Sequence, residues 1–436
     1  MKKIISLLSI FIYLPFMVSK NVVASDIFKD IEITGQVSAI YQTSNLGLKE
    51  GDLRNADGSN ISQQELQAFG HKNKSGSFST TIGIRKKISE NKFLHADLQF
   101  ADGEGVDSKL QGGAMVNNDI MEDVERPKEI YLAKFFYEMT VPVSKNYNFI
   151  FDIGKFGVND FFDVGDENSD QTTQFLNQAI ANNGAFDYVQ DLKGQGYTYG
   201  SRAGIFNDFM GIDLGFFSSD SYLENISNKH SIIAGLTLKP KFGKLEGVYQ
   251  FYAFSNQGEY ASFDGDGNLI TKNDDINHFI NKSSNADTLN KNGFGISITQ
   301  AVTDKINIFG KFGKQDDDRD VRHYQDMDES YMLGANFSGK YWSREDDEIG
   351  IAYQIGRLTG NHRKAHEKGH ASFFNREGAG IGANNYADER VFEIYYRLSL
   401  TKNVSFSLDF QNISNFYYSR SIGDVQFSAA RLTTLF

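Results

Sequence analysis

Residues His366-Glu367-Lys368-Gly369-His370 have the H-E-x-x-H form, in which two histidines one helical turn apart hold zinc and the glutamate acts on a bound water. His362 extends the run upstream, and Glu389 follows at the spacing where some metalloproteases place a third ligand. The chemistry implied is metal-dependent hydrolysis, and it requires both histidines on one face of a stable helix. Gly369 weakens such a helix by about 1 kcal/mol relative to alanine. The surrounding NHRKAHEKGHASFFNREGAGIGANN has no apolar stripe to dock it on a core. A zinc-dependent surface hydrolase is therefore kept as the alternative from another class. The expectation is a chance motif in a long loop, with no catalytic residue, no cofactor and no metal site.

Other chemistry is thinner still. Asp264-Gly265-Asp266-Gly267-Asn268 begins like a calcium loop but has Leu269 where the sharp-turn glycine belongs, so it reads as a solvated turn. No glycine-rich phosphate cradle and no Gly-x-Ser-x-Gly elbow occurs, and without cysteine there is neither a thiol nucleophile nor a disulfide framework. A net charge of −12 argues against a nucleic-acid partner.

The elements that would carry such side chains are strands. In IEITGQVSAIY, Ile31, Ile33, Gly35, Val37, Ala39 and Tyr41 share one face, and Glu32, Thr34, Gln36 and Ser38 the other. Phe78, Thr80, Ile82 and Ile84 oppose Arg85. Leu94, Ala96, Leu98 and Phe100 oppose His95, Asp97 and Gln99. Phe392, Ile394, Tyr396 and Leu398 oppose Glu393, Tyr395 and Arg397, and Phe406, Leu408 and Phe410 oppose Asp409. About sixteen such segments begin near residues 31, 76, 92, 129, 147, 195, 209, 230, 244, 293, 305, 331, 348, 389, 403 and 424. Their connections alternate between long and short: 44–75 and then Ser89-Glu90-Asn91, 102–128 and then Pro142 to Asn146, 359–388 and then Thr401-Lys402.

This rhythm predicts an all-β transmembrane antiparallel barrel, since backbone groups in lipid must be paired and the sheet must close without an edge. Two ends of the sequence fit it. Lys2 and Lys3, the apolar run Ile4 to Val18 and the small residues before Ser25 read as a signal peptide over 1–24, followed by one barrel domain over 25–436. The chain ends on Phe436 in an amphipathic last segment, like the signal read by outer-membrane assembly machinery.

Three stretches resemble the carbohydrate-selective porins of Gram-negative outer membranes, the OprB-like family. They are GKFGVNDFFD at 154–163 with TTQFLNQAIANNGAFDY at 172–188, WSREDDEIGIAY at 342–353, and ERVFEIYYRLSLTKNVSFSLDFQNISN at 389–415. The resemblance implies passive diffusion of small hydrophilic solutes, above all carbohydrates, across the outer membrane. Where the family has Asn-Pro and glycines after its Asp-x-Gln strand, this chain has Asn415-Phe416-Tyr417-Tyr418, a departure in the last loop.

The residues themselves point the same way. Phe175, Leu176, Ala179 and Ile180 recur at helical spacing, so 172–182 is expected to form a short amphipathic helix capped by Asp170 or Thr172. Folded into the lumen, it would bury its apolar face and narrow the pore, which makes Phe175, Asn177 and Asn182 the candidate constriction residues. The candidate pore-lining and substrate residues are Arg85, Asp97, Asp152, Arg202, Glu246, Glu393, Arg397, Asp409 and Arg431; His95, Asp213 and Lys311 share their face. Both signs are present, whereas an anion-selective pore would show a ladder of lysine and arginine. Mixed polar walls suit sugar hydroxyls, which both donate and accept. A general or anion-preferring porin is the alternative within transport. The expected partners are small solutes, outer-membrane lipid and, as an open option, further copies of the chain.

Overall fold

A computed structural model describes residues 30–55, 58–68, 73–106, 113, 115–117, 120, 128–165, 167–190, 196–220, 225–270, 288–321, 325–369 and 380–436. The expected signal peptide and His370 lie outside these residues. The first strands are β1 (Ile31–Ser44), β2 (Lys74–Ser89), β3 (Lys92–Asp102), β4 (Tyr131–Pro142), β5 (Asn148–Gly157) and β6 (Tyr197–Phe206). Next come β7 (Met210–Ser218), β8 (His230–Leu238), the two-residue β9 (Lys241–Phe242), β10 (Leu245–Glu259), β11 (Thr288–Ala301) and β12 (Ile306–Gln315). The last are β13 (Glu329–Ser338), β14 (Glu348–Arg357), β15 (Glu389–Ser399), β16 (Val404–Ser414) and β17 (Val425–Leu435). Apart from β9, a small ribbon on the start of β10, these are sixteen long strands. Each pairs antiparallel with its sequence neighbours.

β1 closes the sheet by pairing with β17 from Gln36↔Leu435 to Ser44↔Phe427. The seam ends in two backbone bonds between Gly35 and Phe436, 2.7 and 2.9 Å long. A Cβ on residue 35 would lie 2.1 Å from the Phe436 ring, so only glycine lets the terminal aromatic lie across the first strand. Closure leaves no edge, as lipid requires.

The faces follow the alternation. Ile33, Ile82, Leu98, Leu333 and Leu408 are exposed on the outside, while Ser38, Gln42, Glu393 and Asp409 are buried inside. With a period of two, a one-residue slip would put the charges in the lipid, so burial fixes the register. Short turns, such as 90–91, 207–209 and 302–305, lie at one end of the barrel, and the long connections lie at the other.

Two elements differ from expectation. The helix of the third long loop, α2 (Gln178–Ala181), is a single turn and starts after Asn177, whose side chain accepts from Ala179 N. Asp170 instead closes a turn on Thr172 N at 2.9 Å. The helix cannot begin earlier because the N–H groups of Leu176 and Asn177 are taken by the wall, at Glu393. Conversely, a helix does form at α3 (Gly360–Lys368), following α1 (Gln63–Ala68) and α2 in the chain. Its buried face is His362, Ala365 and His366, so two imidazoles do the work of an apolar stripe.

Candidate functional site

The lumen is divided by the loop between β5 and β6, which runs inward over the described residues of 158–165 and 167–190. Its centre is clamped to the wall by charge. Glu393 on β15 accepts from Leu176 N at 2.5 Å and from Asn177 N at 3.0 Å, one carboxylate oxygen to each. Asn177 donates to Gln411 on β16 at 3.1 Å. On β17, Arg431 donates to the carbonyls of Gln171 and Gln174, and Thr433 to that of Thr172. Bonds to a charged group are worth about 1.5–3 kcal/mol each, so this set holds the backbone firmly. Phe175 fills the space between, its ring edge-on to Phe309 and to Tyr395 at 5.5 and 4.8 Å.

The far limb of the loop is clamped to β12. Lys311 donates to Asp163 at 3.1 Å and to Ala181 O at 2.9 Å. Asp163, at φ 64°, also accepts from Asn183 N at 2.6 Å. Asn183 reaches Tyr252 at 2.7 Å and lies so close to β12 that a Cβ on residue 313 would sit 2.2 Å from its side chain, which accounts for Gly313. Lower down, Glu167 is held by Asn307 at 2.7 Å and by Asn336.

On the opposite wall, β2 to β7, the charges of β2 to β4 stay partly open, while Asp152, Asp213 and Arg202 are largely buried. His95 meets Glu138 at 3.0 Å and stacks on Phe136, with centroids 4.4 Å apart. Lys134 lies 2.7 Å from Asp160 and 3.8 Å from Asp97. Arg202 bridges Asp152 and Asp213 at 3.1 and 2.8 Å and lies over the Phe161 and Phe206 rings. Arg85 is 3.8 Å from Glu32 and covers Phe93. Each lysine and arginine here is answered by a carboxylate.

The sequence-predicted residues therefore separate into groups. Arg85 and Asp97 are partly open on the wall from β2 to β4, and Asp152 and Arg202 pair beside them, largely buried. Glu393, Asp409 and Arg431 are buried beneath the loop with Phe175, Asn177 and Asn182. Arg397 pairs with Glu348 at 3.4 Å at the short-turn end. Glu246 pairs with Lys241 at 2.7 Å in the exposed β9–β10 hairpin, away from the loop. Lys134 and Glu138 are not legible in the sequence, because Phe135, Phe136 and Tyr137 put aromatics on both faces of β4. A register shift opposite Asp97 and Leu98 further masks the alternation there. The anchoring role of Asp163 depends on a left-handed backbone that nothing in its neighbours announces.

His362 and His366 of this stretch are spent on packing. Gly369 ends α3 in the left-handed region at φ 84°. His362 Nδ1 lies 2.9 Å from Asp328 and its ring stacks on Phe263. His366 Nε2 donates to Tyr417 O at 3.1 Å, and its ring meets those of Tyr417 and Tyr418. Burial pushes His366 down to about 4, so the ring is neutral at pH 7. Burial also opposes charge on His362, but the Asp328 carboxylate outweighs it and holds that ring above the usual histidine range. Glu389 accepts from Tyr417 N at 2.8 Å. Among the described residues no group of three or more His, Cys, Asp or Glu side chains could hold a metal ion. Asp264 accepts from the backbone of Asp266 and Asn268, and Lys364 and Lys368 donate to this turn, so it docks on α3.

The departure at 415–418 keeps the conformation that glycines would favour. Asn415, Tyr417 and Tyr418 have φ of 55°, 61° and 57°. Strain of this kind persists only when the surroundings over-determine it; here both tyrosines are buried against α3 and Tyr386.

The model of the OprB family, carbohydrate-selective porin, matches residues 101–436. A comparison with curated protein sequences returns no match. Among solved structures, the high-pH structure of Pseudomonas putida OprB superposes with a TM-score of 0.67 at 13% identity, covering 94% of this chain and 95% of that one. The low-pH structure of the same protein gives 0.51 at 11% identity, covering 94% of each chain. At such identities the likeness speaks for the fold alone.

Proposed function

Because the chain belongs to the carbohydrate-selective porin family, OprB, we propose that neutral sugars cross it along the wall from β2 to β6, beside the inward loop. The protein is a bacterial outer-membrane porin for small hydrophilic solutes, a passive channel rather than an enzyme. The observation that carries the finer reading is the pairing of signs on the open wall. Arg202 between Asp152 and Asp213, Lys134 between Asp97 and Asp160, and His95 against Glu138 leave no ladder of one charge. Such a wall gives an ion little net attraction but offers donors and acceptors to a polyol, with Phe136 and Phe161 beside them for the apolar face of a sugar ring. In this reading Arg85, Asp97 and Arg202 touch solute, while Glu393, Asp409 and Arg431 hold the loop and set the width. The exposed apolar belt meets outer-membrane lipid, and further copies of the chain would multiply the path without altering it.

The test is single-channel recording of purified protein in planar bilayers, with glucose and a glucose trisaccharide as blockers. Sugar-dependent interruption of the ion current with little preference for either ion sign is expected. Strong anion preference without any sugar effect would sink this reading.

A further inference from the structure

The two buried histidines of α3 lead to one place. His362 lies 2.9 Å from one carboxylate oxygen of Asp328, and the other accepts from Thr359 N at 2.7 Å. His366 packs edge-on against the Tyr418 ring at 5.7 Å, and the Tyr418 hydroxyl donates to the carbonyl of Asp326. Asp326 and Asp328 flank Met327 in the long connection between β12 and β13. Met327 is wholly buried and packs on Ala179 and Ala185 of the inward loop. Its sulfur is wedged between that loop and β14, since a Cβ on residue 184 or 356 would lie 2.4 or 2.8 Å from it. Gln354 on β14 donates to the same sulfur at 3.1 Å, and Gln315 on β12 to the Met327 carbonyl at 2.7 Å. An unbranched thioether suits such an irregular gap.

We propose that Met327 is a positioning residue for the constriction, and that α3 is the extracellular latch that keeps it in place. The inference rests on the reading above that the inward loop sets the width of the pore. The clamps at Glu393, Arg431 and Lys311 all come from strands of the barrel wall. Met327 is a support of a different kind, because it comes from a long connection outside the sheet. That connection is itself gripped by α3 at a second point, where Asp317 accepts from Thr359 Oγ1 at 2.7 Å and from His362 N at 2.9 Å. A continuous run of packed and hydrogen-bonded groups thus leads from α3 to Asp326 and Asp328, then to Met327, then to Ala179 and Ala185. When α3 lifts, both neighbours of Met327 lose their anchors, and the loop loses its support from the long-loop end.

Single-channel conductance is read for Met327→Ala, His362→Leu and the double variant. Glu393→Ala, which frees the same loop from the wall, is the reference. Both single variants should conduct more than the wild type. The double variant should match the more open single variant, not the product of the two increases, because both act through one support. Met327→Leu, which refills the gap at nearly the same volume, should bring conductance back toward the wild-type level. His362 lies outside the sheet, so its variant carries the test if Met327→Ala does not insert. Unchanged conductance in His362→Leu, or increases that multiply in the double variant, overturns the latch. A rise in Glu393→Ala alone overturns the positioning role and leaves the width reading standing. No rise in any of these variants overturns both.

Discussion

The wall from β12 to β17 and the wall from β2 to β6 are built from the same alternating strands, and both point charged side chains inward. On the first, Glu393 and Arg431 are almost wholly out of water, because residues 171–177 of the loop lie on them. On the second, the Arg85 side chain is 43% exposed, and Lys134, 22% exposed, meets the loop at Asp160. The partners differ accordingly. Covered charges bond chiefly to backbone groups of the loop; open charges bond to other charged side chains. An inward carboxylate in such a barrel is thus a clamp or a contact for solute depending on whether a loop reaches it. The strand alone does not decide.

Breaking the clamp should give the largest effect. Glu393→Ala leaves the N–H groups of Leu176 and Asn177 without acceptors, at about 1–3 kcal/mol each. The loop should detach, conductance should rise several-fold, and the SDS-resistant fold should melt at lower temperature. Deletion of 172–182 should widen the pore in the same way. Unchanged conductance in both would show that the covered wall does not border the pore.

Next is the open wall. Arg202→Ala leaves Asp152 and Asp213 without their cation, so reversal potentials in a salt gradient should shift toward cation preference. Sugar affinity should fall by about 1–2 kcal/mol, read from current noise. A variant with wild-type selectivity would mean that the open wall is not the path.

The legibility of the two walls was unequal. Strand starts came within five residues throughout, with the expected 293 against Thr288 the widest miss, because an apolar face toward lipid forces alternation. The inward turn of 172–182 was also visible, since Phe175, Leu176 and Ile180 need cover. What stayed hidden depends on distant partners. No local pattern says that Glu393 will take the N–H groups of residues 176 and 177 and shorten the helix. Nor does a sequence with polar neighbours announce that His362 and His366 will be core residues. Gly369 was the available signal, as a left-handed helix end, but it reads equally well as a defect inside a zinc motif.

A smaller effect concerns α3 over the covered side. His366 has a folded pKa near 4, below the ordinary 6.5, so its contribution is complete above pH 6.5 and is lost as pH falls from there toward 4, by about 3 kcal/mol in all. His362 has a raised folded pKa, so its contribution is complete below 6.5 and is lost as pH rises through that higher value. Protection of 360–368 from hydrogen exchange should therefore peak near neutral pH and decline on both sides. Protection that only increases with acidity would contradict the docking of His366.

The smallest effect is expected from the motif itself. Glu367 pairs with Arg363 at 3.1 Å on the surface of α3. Glu367→Gln should leave conductance within error, and added zinc should produce no peptide cleavage in either form. Zinc-dependent cleavage lost in the variant would make the barrel a hydrolase.

The seam between Gly35 and Phe436 has a kinetic meaning. The pairing of Gln36 with Leu435 joins residues about 400 positions apart, so loop-closure entropy is expected to make it a late contact. Until it forms, β1 and β17 are unpaired edges, open to pairing with other chains. The chain must therefore be kept apart from its copies until its final strand is in reach. Substitutions at Gly35 should act on the yield and rate of assembly well before they act on transport.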